Sequence, residues 1–274
     1  MKYLTVLLYF GVLLSLSQVA FCGDEDRLFY DAVRAEASGN LDQAIDYYLK
    51  ASKISHSANL YGNLANLFFK KEQFGLAILY FRKALLLQPR NSELATNLAF
   101  AYEMAKIPKR KEGLKGSYFS ENTISLWGLF CTLIFWTGLL LLIYLFFFKN
   151  SKLMLFNTTV CWVILLGLGL YATNLSLIRQ TELSREVVAH IADNDKNSSG
   201  TISLRRFAGE TNSENTTVNP GECLIISLDK DENTKQHKSS DGINWFLVRS
   251  KNGNQKGWIR EDEFGWIINP APRT

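Results

Sequence analysis

The residues from Asp195 onwards carry oxygen atoms at the spacing of a calcium-binding loop. Asp195, Asn197 and Ser199 would occupy the first, third and fifth places, with Gly200 at the sixth. The twelfth place needs a bidentate glutamate but holds Arg206. Because Arg206 would direct a cation at the metal, we expect no calcium there. A β-strand from Ile202 to Arg205 is the preferred interpretation of the same residues.

The remaining reactive side chains do not form a recognisable catalytic or metal-binding pattern. There is no glycine-rich phosphate loop, and the acids Glu261 to Glu263 are expected to form a solvated loop. The histidines His56, His190 and His237 are scattered with no shared spacing. Cys131 and Cys161 lie in apolar runs and suggest packing roles, and Cys223 is a lone thiol on a predicted strand, so no disulfide is expected within either polar domain. The sequence therefore predicts a non-enzymatic protein with no catalytic residues, no cofactor and no metal site.

The composition is that of an ordinary soluble protein only on average. The 274 residues are 47% hydrophobic and 20% charged, with a formal net charge of +4. The apolar content and the small net charge exclude a largely disordered chain and a strongly basic nucleic-acid binder. The presence of only four cysteines excludes a disulfide-dense scaffold. The apolar residues are concentrated in three runs, and these runs determine the predicted topology.

The first apolar run predicts an exported protein. Residues 1–22 comprise a basic start, an apolar core and small residues before Gly23, which together indicate a secretory signal peptide cleaved after Cys22. Two alternatives remain open, a lipoprotein in which Cys22 is acylated and an uncleaved anchor.

The second and third runs predict a transmembrane helical hairpin. Residues 124–148 and 153–178 are uncharged, and only the turn 149–152 separates them. The first run would be about 37 Å long as a helix, enough to cross a bilayer. An even number of crossings places the segments before and after the hairpin on the same side of the membrane.

The signal and one group of basic residues disagree about orientation. Export of the N-terminal segment places Lys149 and Lys152 in the cytoplasm, as the positive-inside rule expects. The basic linker 107–123 would then lie outside, and its cluster would be a solvated linker or a contact for anionic lipid: Lys106, Lys109, Arg110, Lys111 and Lys115. We follow the signal.

Residues 23–106 contain a helical repeat with a period near 34. Ala44, Tyr48 and Ala51 precede Ala77, Phe81 and Ala84 by 33 residues each. This is the tetratricopeptide spacing, and it predicts about 2.5 repeats with helices near 25–38, 41–54, 58–71, 74–87 and 92–105, the last capping the stack. The large and small positions should pack the repeat: Tyr61, Leu64, Ala65, Phe68, Ala77, Phe81, Ala84 and Pro89.

The first helix of each pair would line a concave groove for a partner. A peptide backbone can pair with asparagine amides, and the predicted groove residues are Asn59, Asn63, Asn66, Lys70 and Asn97. The alternative is that these are ordinary residues of the repeat.

Residues 179–274 predict a small antiparallel β domain with its core at about 200–268. Short β-rich runs alternate with Gly, Asn and Pro turns. The run Trp245-x-x-Val248, a glycine turn and Gly257-Trp258-Ile259 resemble the closing hairpin of bacterial SH3-like domains. The resemblance implies an all-β SH3-like barrel with Trp245, Val248, Gly257 and Trp258 in its core.

The order of signal, tetratricopeptide stack, two-span hairpin and SH3-like domain resembles the Bacteroides aerotolerance family, in particular its BatE-type members. The resemblance implies a multi-domain protein of the bacterial inner membrane with both polar domains in the periplasm. It further implies partners with von Willebrand A-type domains and a role in aerotolerance or envelope stress.

We therefore expect a membrane-anchored scaffold that holds envelope proteins, with membrane lipid and peptidoglycan as further partners and no nucleic acid. The alternatives are an envelope sensor that binds peptidoglycan or peptide through the SH3-like domain, and an envelope hydrolase that the domain would target.

Overall fold

The computed structural model describes residues 23–108, 124–148, 152–192, 200–209, 214–229, 234–239, 242–251 and 254–268. The predicted signal peptide, most of the basic linker, the turn residues 149–151 and the calcium-loop residues 195–199 lie outside these ranges.

The first five helices form an antiparallel stack, and each lies within about one residue of its expected bounds. They are α1 (Asp24–Ala37), α2 (Leu41–Ile54), α3 (Ala58–Lys70), α4 (Phe74–Leu87) and α5 (Ser92–Met104). Polar side chains begin three of them, because Asn40, Ser57 and Asn91 each accept a hydrogen bond from a backbone N–H of the first turn.

The first helix of each repeat ends in the same turn. Gly39, Glu72 and Lys106 follow α1, α3 and α5 with φ angles of 79°, 60° and 55°. In each case the next backbone N–H bonds the carbonyl five residues earlier, at 2.9, 2.9 and 3.0 Å. The chain therefore leaves α5 as it leaves α1 and α3, but no second helix follows within the described residues to 108.

The core of the stack is built from the repeat positions. Seven of the eight predicted packing residues are buried, and Pro89 is exposed in the turn after α4: Tyr61, Leu64, Ala65, Phe68, Ala77, Phe81 and Ala84. The alanines among them, Ala65, Ala77 and Ala84, let α3 and α4 approach closely.

Two further helices, α6 (Ile124–Phe148) and α7 (Lys152–Leu183), are long and apolar enough to cross a membrane. They pack against each other where Gly138 meets the indole ring of Trp162, whose Nε1 donates to the Ile134 carbonyl at 3.0 Å. Only 6% of the most apolar window of each helix is buried. Helix α7 also continues beyond the expected end at residue 178 and leads into the first strand after two residues.

The C-terminal part forms one antiparallel sheet of eight strands. The strands are β1 (Glu186–Ala189), β2 (Ile202–Arg205), β3 (Glu214–Val218), β4 (Cys223–Ile226), β5 (Gln236–Lys238), β6 (Asn244–Ser250), β7 (Lys256–Arg260) and β8 (Phe264–Trp266). Their order is β3-β2-β7-β6-β4-β1-β8, with β5 beside β6. Strand β1 lies in a segment that the sequence left unassigned.

The sheet has an apolar interior and an outer face that meets the helical stack. Val187, Leu224 and Phe246 belong to its own core. Val188 and Ile267 instead join the core of the helical stack, with Cys223 packed against it. Because neighbouring residues of a strand face opposite ways, β1 contributes to both cores.

Candidate partner-binding surfaces

The side of the stack that is predicted to be concave has four positions on each first helix that recur every 34 residues. We define the groove as four positions on each of α1, α3 and α5, namely Glu25, Phe29, Ala32 and Glu36; Asn59, Asn63, Asn66 and Lys70; and Glu93, Asn97, Phe100 and Met104. All five predicted groove residues are among these positions.

Two of the predicted groove residues are engaged within the stack. Asn63 Nδ2 donates to the Tyr48 hydroxyl at 3.1 Å, and Tyr48 is fully buried. Lys70 Nζ lies 2.7 Å from Glu36 Oε1 on the neighbouring helix. Both contacts tie the first repeat to the second. Asn59 is exposed, and Asn66 and Asn97 are half-buried, so these three remain the better candidates for partner contact.

The opposite, convex side of α4 is covered by the sheet. Gly75 lies so close to strand β1 that a Cβ there would be 3.0 Å from the Ala189 carbonyl oxygen. A Cβ on Gly265 of β8 would overlap the side chain of Leu79. Gly75 on the stack and Gly265 on the sheet thus allow the two domains to approach closely. The sheet occupies this side of α4, so it is not available to another protein.

A charged cluster lies inside this interface. Arg82 of α4 contacts Glu186 of β1 at 2.9 Å, and Lys251 contacts the same carboxylate at 3.1 Å. The Glu186 side chain is 2% exposed and that of Arg82 is 10% exposed. Arg82 Nη1 also donates to Cys223 Sγ at 2.6 Å. A buried carboxylate between two cations can stay ionised, which is why burial is tolerated here.

The pKa values of the cluster reflect this arrangement. Burial alone would raise the pKa of Glu186, but Arg82 and Lys251 together hold it below its usual value. Burial likewise opposes the charge on Arg82, but its interactions with Cys223 and Glu186 raise its pKa. Tyr102, beside Cys223, has its pKa raised chiefly by burial. Glu186 and Arg82 therefore form a charged pair within the interface.

The sheet also covers part of α5, which was expected to cap the stack by itself. Tyr102 occupies the repeat position of Phe68, and its hydroxyl lies 3.9 Å from Cys223 Sγ. Beyond the helix, Ile107 packs toward Gly221, whose φ angle is 97°. Residues of the sheet thus cover apolar surface at the end of α5 that the second helix covers in a complete repeat.

A cleft of about 350 Å³ opens where the two domains meet. Its walls come from the start of α4, the end of α5 and the chain after β1, including Phe74, Met104 and His190. The lining mixes apolar side chains with Glu72 and Lys106.

The predicted core residues of the sheet fall on different faces. Val248 lies in the interior of the sheet. Trp245 is fully buried on the other face, beneath the Arg205 guanidinium at 4.8 Å from the ring centroid. Gly257 packs against Leu204, whereas Trp258 is half-buried.

The acids Glu261 to Glu263 do not all lie in a solvated loop. They form a 3₁₀ turn in which Glu263 is 8% exposed and accepts a hydrogen bond from the Arg260 backbone N–H at 3.0 Å. Burial raises the pKa of Glu263, and these contacts counteract the rise. The carboxylate closes the turn before β8, which is a structural role.

Among the described residues, no group of three or more histidine, cysteine, aspartate or glutamate side chains could hold a metal ion.

Comparison with known proteins agrees with the helical part. The tetratricopeptide repeat family model matches residues 58–91, which span α3, α4 and the turn that follows. None of the curated proteins matches the chain significantly. Tetratricopeptide stacks are typically non-catalytic and bind proteins. The chain therefore contains a tetratricopeptide repeat within a helical stack suited to protein–protein interaction, followed by two long apolar helices and an antiparallel sheet.

Proposed function

We propose that this chain is a non-enzymatic scaffold of the cell envelope, anchored by α6 and α7 and holding partner proteins on one membrane surface. The observation that carries the proposal is the buried contact between Arg82 and Glu186. These residues lie on either side of the two apolar helices in the sequence, and a contact between them needs both domains on the same side of a bilayer.

Membrane insertion is supported by the surfaces of α6 and α7. Most of their large apolar side chains are exposed, as at Leu140, Phe147 and Leu168. In water such a surface would be strongly unfavourable, whereas in a bilayer it faces lipid. The hydrogen bond from Trp162 to a backbone carbonyl is of the kind that joins helices in lipid.

The remaining parts of the proposal come from the sequence, through its patterns for the domain division and through the family resemblance for the location and the partners. The domain division is a signal at 1–22, a tetratricopeptide domain at 23–106, a linker at 107–123, spans at 124–148 and 153–178, and an SH3-like barrel in 179–274. The proposed location is the bacterial inner membrane with both domains in the periplasm. The proposed partners are envelope proteins with von Willebrand A-type domains in aerotolerance or stress complexes.

Labelling of introduced cysteines on the whole protein tests the topology. Thr96 and Lys238 are exposed, one on the stack and one on the sheet. Thr96→Cys and Lys238→Cys should both react with a membrane-impermeant maleimide in intact spheroplasts, above the background of the unsubstituted chain. Labelling of one variant only would contradict the shared membrane side. Labelling of neither until lysis would place both domains in the cytoplasm.

The scaffold role is tested by recovering partners from detergent-solubilised membranes. Asn59→Ala/Asn66→Ala removes two groove amides that have no role in joining the repeats, and it should deplete the captured proteins. Gln43→Ala, which removes an exposed amide of α2 outside the groove, provides a control variant. An unchanged set of captured proteins would remove the groove from the proposal.

Peptidoglycan binding is the second candidate function, favoured by the aromatic and cationic side chains on the outer sheet face. Trp258 lies opposite Arg205 in the strand register and near His237. Sedimentation of the whole protein with purified peptidoglycan should then be lost in Trp258→Ala.

A further inference from the structure

The groove of the helical stack has an uneven distribution of charge. Its twelve positions include three carboxylates, Glu25, Glu36 and Glu93, against the single ammonium group of Lys70. Lys70 is already paired with Glu36. Among the described residues, Glu25 and Glu93 have no ion-pair partner within 4 Å. The unpaired charge of the groove is therefore negative.

Helix α5 adds an apolar strip to this charge. Glu93, Asn97, Phe100 and Met104 follow one another at helical spacing on one face. Phe100 and Met104 are each 54% exposed, although their counterparts on α3 are the polar Asn66 and Lys70. Glu103 is exposed beside them and adds a further carboxylate. Met104 also lines the cleft between the stack and the sheet, so the apolar strip runs along the edge of that cleft.

The other surfaces of the stack narrow the choice of occupant. The convex side of α4 is occupied by the sheet, so the concave side is where a protein partner can reach the central repeat. An anionic lipid surface would be repelled by Glu25, Glu93 and Glu103. A segment that ends in a carboxylate would meet the same repulsion, and Lys70 is not free to neutralise it.

From these observations we infer that the groove takes a cationic segment of a partner protein, with an apolar side chain seated on Phe100 and Met104. The inference rests on the proposed function, because it names the chemistry of the partner that the stack would hold. Lysine or arginine side chains of the segment pair with Glu25 and Glu93, and the asparagine amides of the groove bond its backbone.

The test uses the whole protein in nanodiscs of zwitterionic phosphatidylcholine, which do not attract cationic peptides. Two fluorescein-labelled peptides of equal length and leucine content are compared by fluorescence anisotropy, one containing lysines and the other glutamates in their place. The lysine peptide should bind more tightly, and its affinity should fall as salt rises from about 50 to about 500 mM.

Three variants locate the site. Glu25→Gln and Glu93→Gln should each weaken the lysine peptide by about two- to fivefold, since each removes one partly solvated pair. Phe100→Ala should weaken it by about tenfold through loss of the apolar contact. Asp46→Asn, which removes an exposed acid of α2 outside the groove, should leave binding unchanged.

The outcomes separate this inference from the scaffold proposal. Equal or tighter binding of the glutamate peptide would overturn the inference, while binding that is sensitive to Asn59→Ala/Asn66→Ala would still support a protein-binding groove. The inference would also be overturned if the affinity for the lysine peptide were the same in all three variants as in the unsubstituted protein, or if the peptide bound only to nanodiscs that contain anionic lipid. If neither peptide binds but the asparagine variant still loses captured proteins, the inference fails and the scaffold proposal stands.

Discussion

Removal of the Glu186 carboxylate should open the interface between the helical stack and the sheet. In Glu186→Ala the Arg82 guanidinium, 10% exposed, loses its closest carboxylate and stays buried against Cys223. Lys251 is 20% exposed and can turn to solvent. The main cost is therefore one buried and uncompensated arginine.

The size of the effect follows from that burial. Breaking a buried ion pair by removing one partner costs about 3–5 kcal/mol, whereas a solvated pair contributes about 0–1 kcal/mol. The lower limit corresponds to a population of the open interface that is roughly 150-fold larger. Because the contact joins two domains, the increase should appear in both α4 and β1 and not in α6 or α7.

Hydrogen exchange followed by mass spectrometry, on the whole protein in nanodiscs, measures this opening segment by segment. Glu182→Ala is the matched control, since its ion pair with Arg179 lies only four residues earlier and its side chain is 50% exposed. Arg82→Met/Glu186→Leu should restore much of the protection, because apolar residues of similar volume replace the pair. Equal exchange in Glu186→Ala and Glu182→Ala would show that the pair does not hold the domains together.

Three other outcomes follow from the same contacts. Since the pKa of Glu186 is lowered on folding, its contribution to stability is present above the usual carboxyl pKa and is lost as the pH falls through the lower folded value. The protection factor of β1, which allows for the slower intrinsic exchange of amides in acid, should therefore fall on acidification, and this fall should be absent in Arg82→Met/Glu186→Leu. Gly265→Leu would overlap Leu79 and should separate the domains, seen as faster exchange in α4, whereas Gly265→Ala should have a smaller effect. Gly138→Leu would overlap the Trp162 ring and should lower the thermal stability of the helical hairpin in detergent, with the stack and sheet unaffected. Unchanged exchange or melting in these variants would contradict the packing described.

The helical part was predictable because its repeats impose the same packing several times. The recurrence of Ala and aromatic residues every 33 or 34 residues locates five helices within about one residue of their bounds. The end of α7 was missed because polar residues after Ile178 continue the helix without belonging to the apolar run. Strand β1 was missed because all four of its residues are buried, on one face against the sheet core and on the other against the helical stack. Its sequence therefore lacks the alternation of apolar and polar residues that indicates a strand.

The contact between the domains could not be derived from a pattern. It joins Arg82 to residues more than a hundred positions away in the sequence, and no local spacing of residues predicts such a contact. One signal was nevertheless present, because Arg82 and Lys83 are the only charges in the otherwise apolar sequence of α4. A charge within an apolar helix is often buried and paired, and Arg82 follows this rule.

The groove shows the limit of reasoning from residue types. Four of its asparagines were selected because amides bind peptide backbones, but Asn63 instead joins two repeats through Tyr48. The apolar pair Phe100 and Met104 was not selected, because the exposure of a helix face depends on the tertiary packing around it and not on its own residues.

The separation of Arg82 from its partners also has a consequence for synthesis. Cys223 is made 141 residues after Arg82, which at about 5–20 residues per second is an interval of roughly 7–28 s. During that interval the stack can fold while Ile78 and Leu79, which contact the sheet in the finished protein, still face water. A ribosome that stalls between the hairpin and β4 would leave a folded stack whose apolar α4 surface, including Ile78 and Leu79, is exposed and prone to aggregation. Newborn chains of this protein should therefore depend on a chaperone that shields α4 until translation ends.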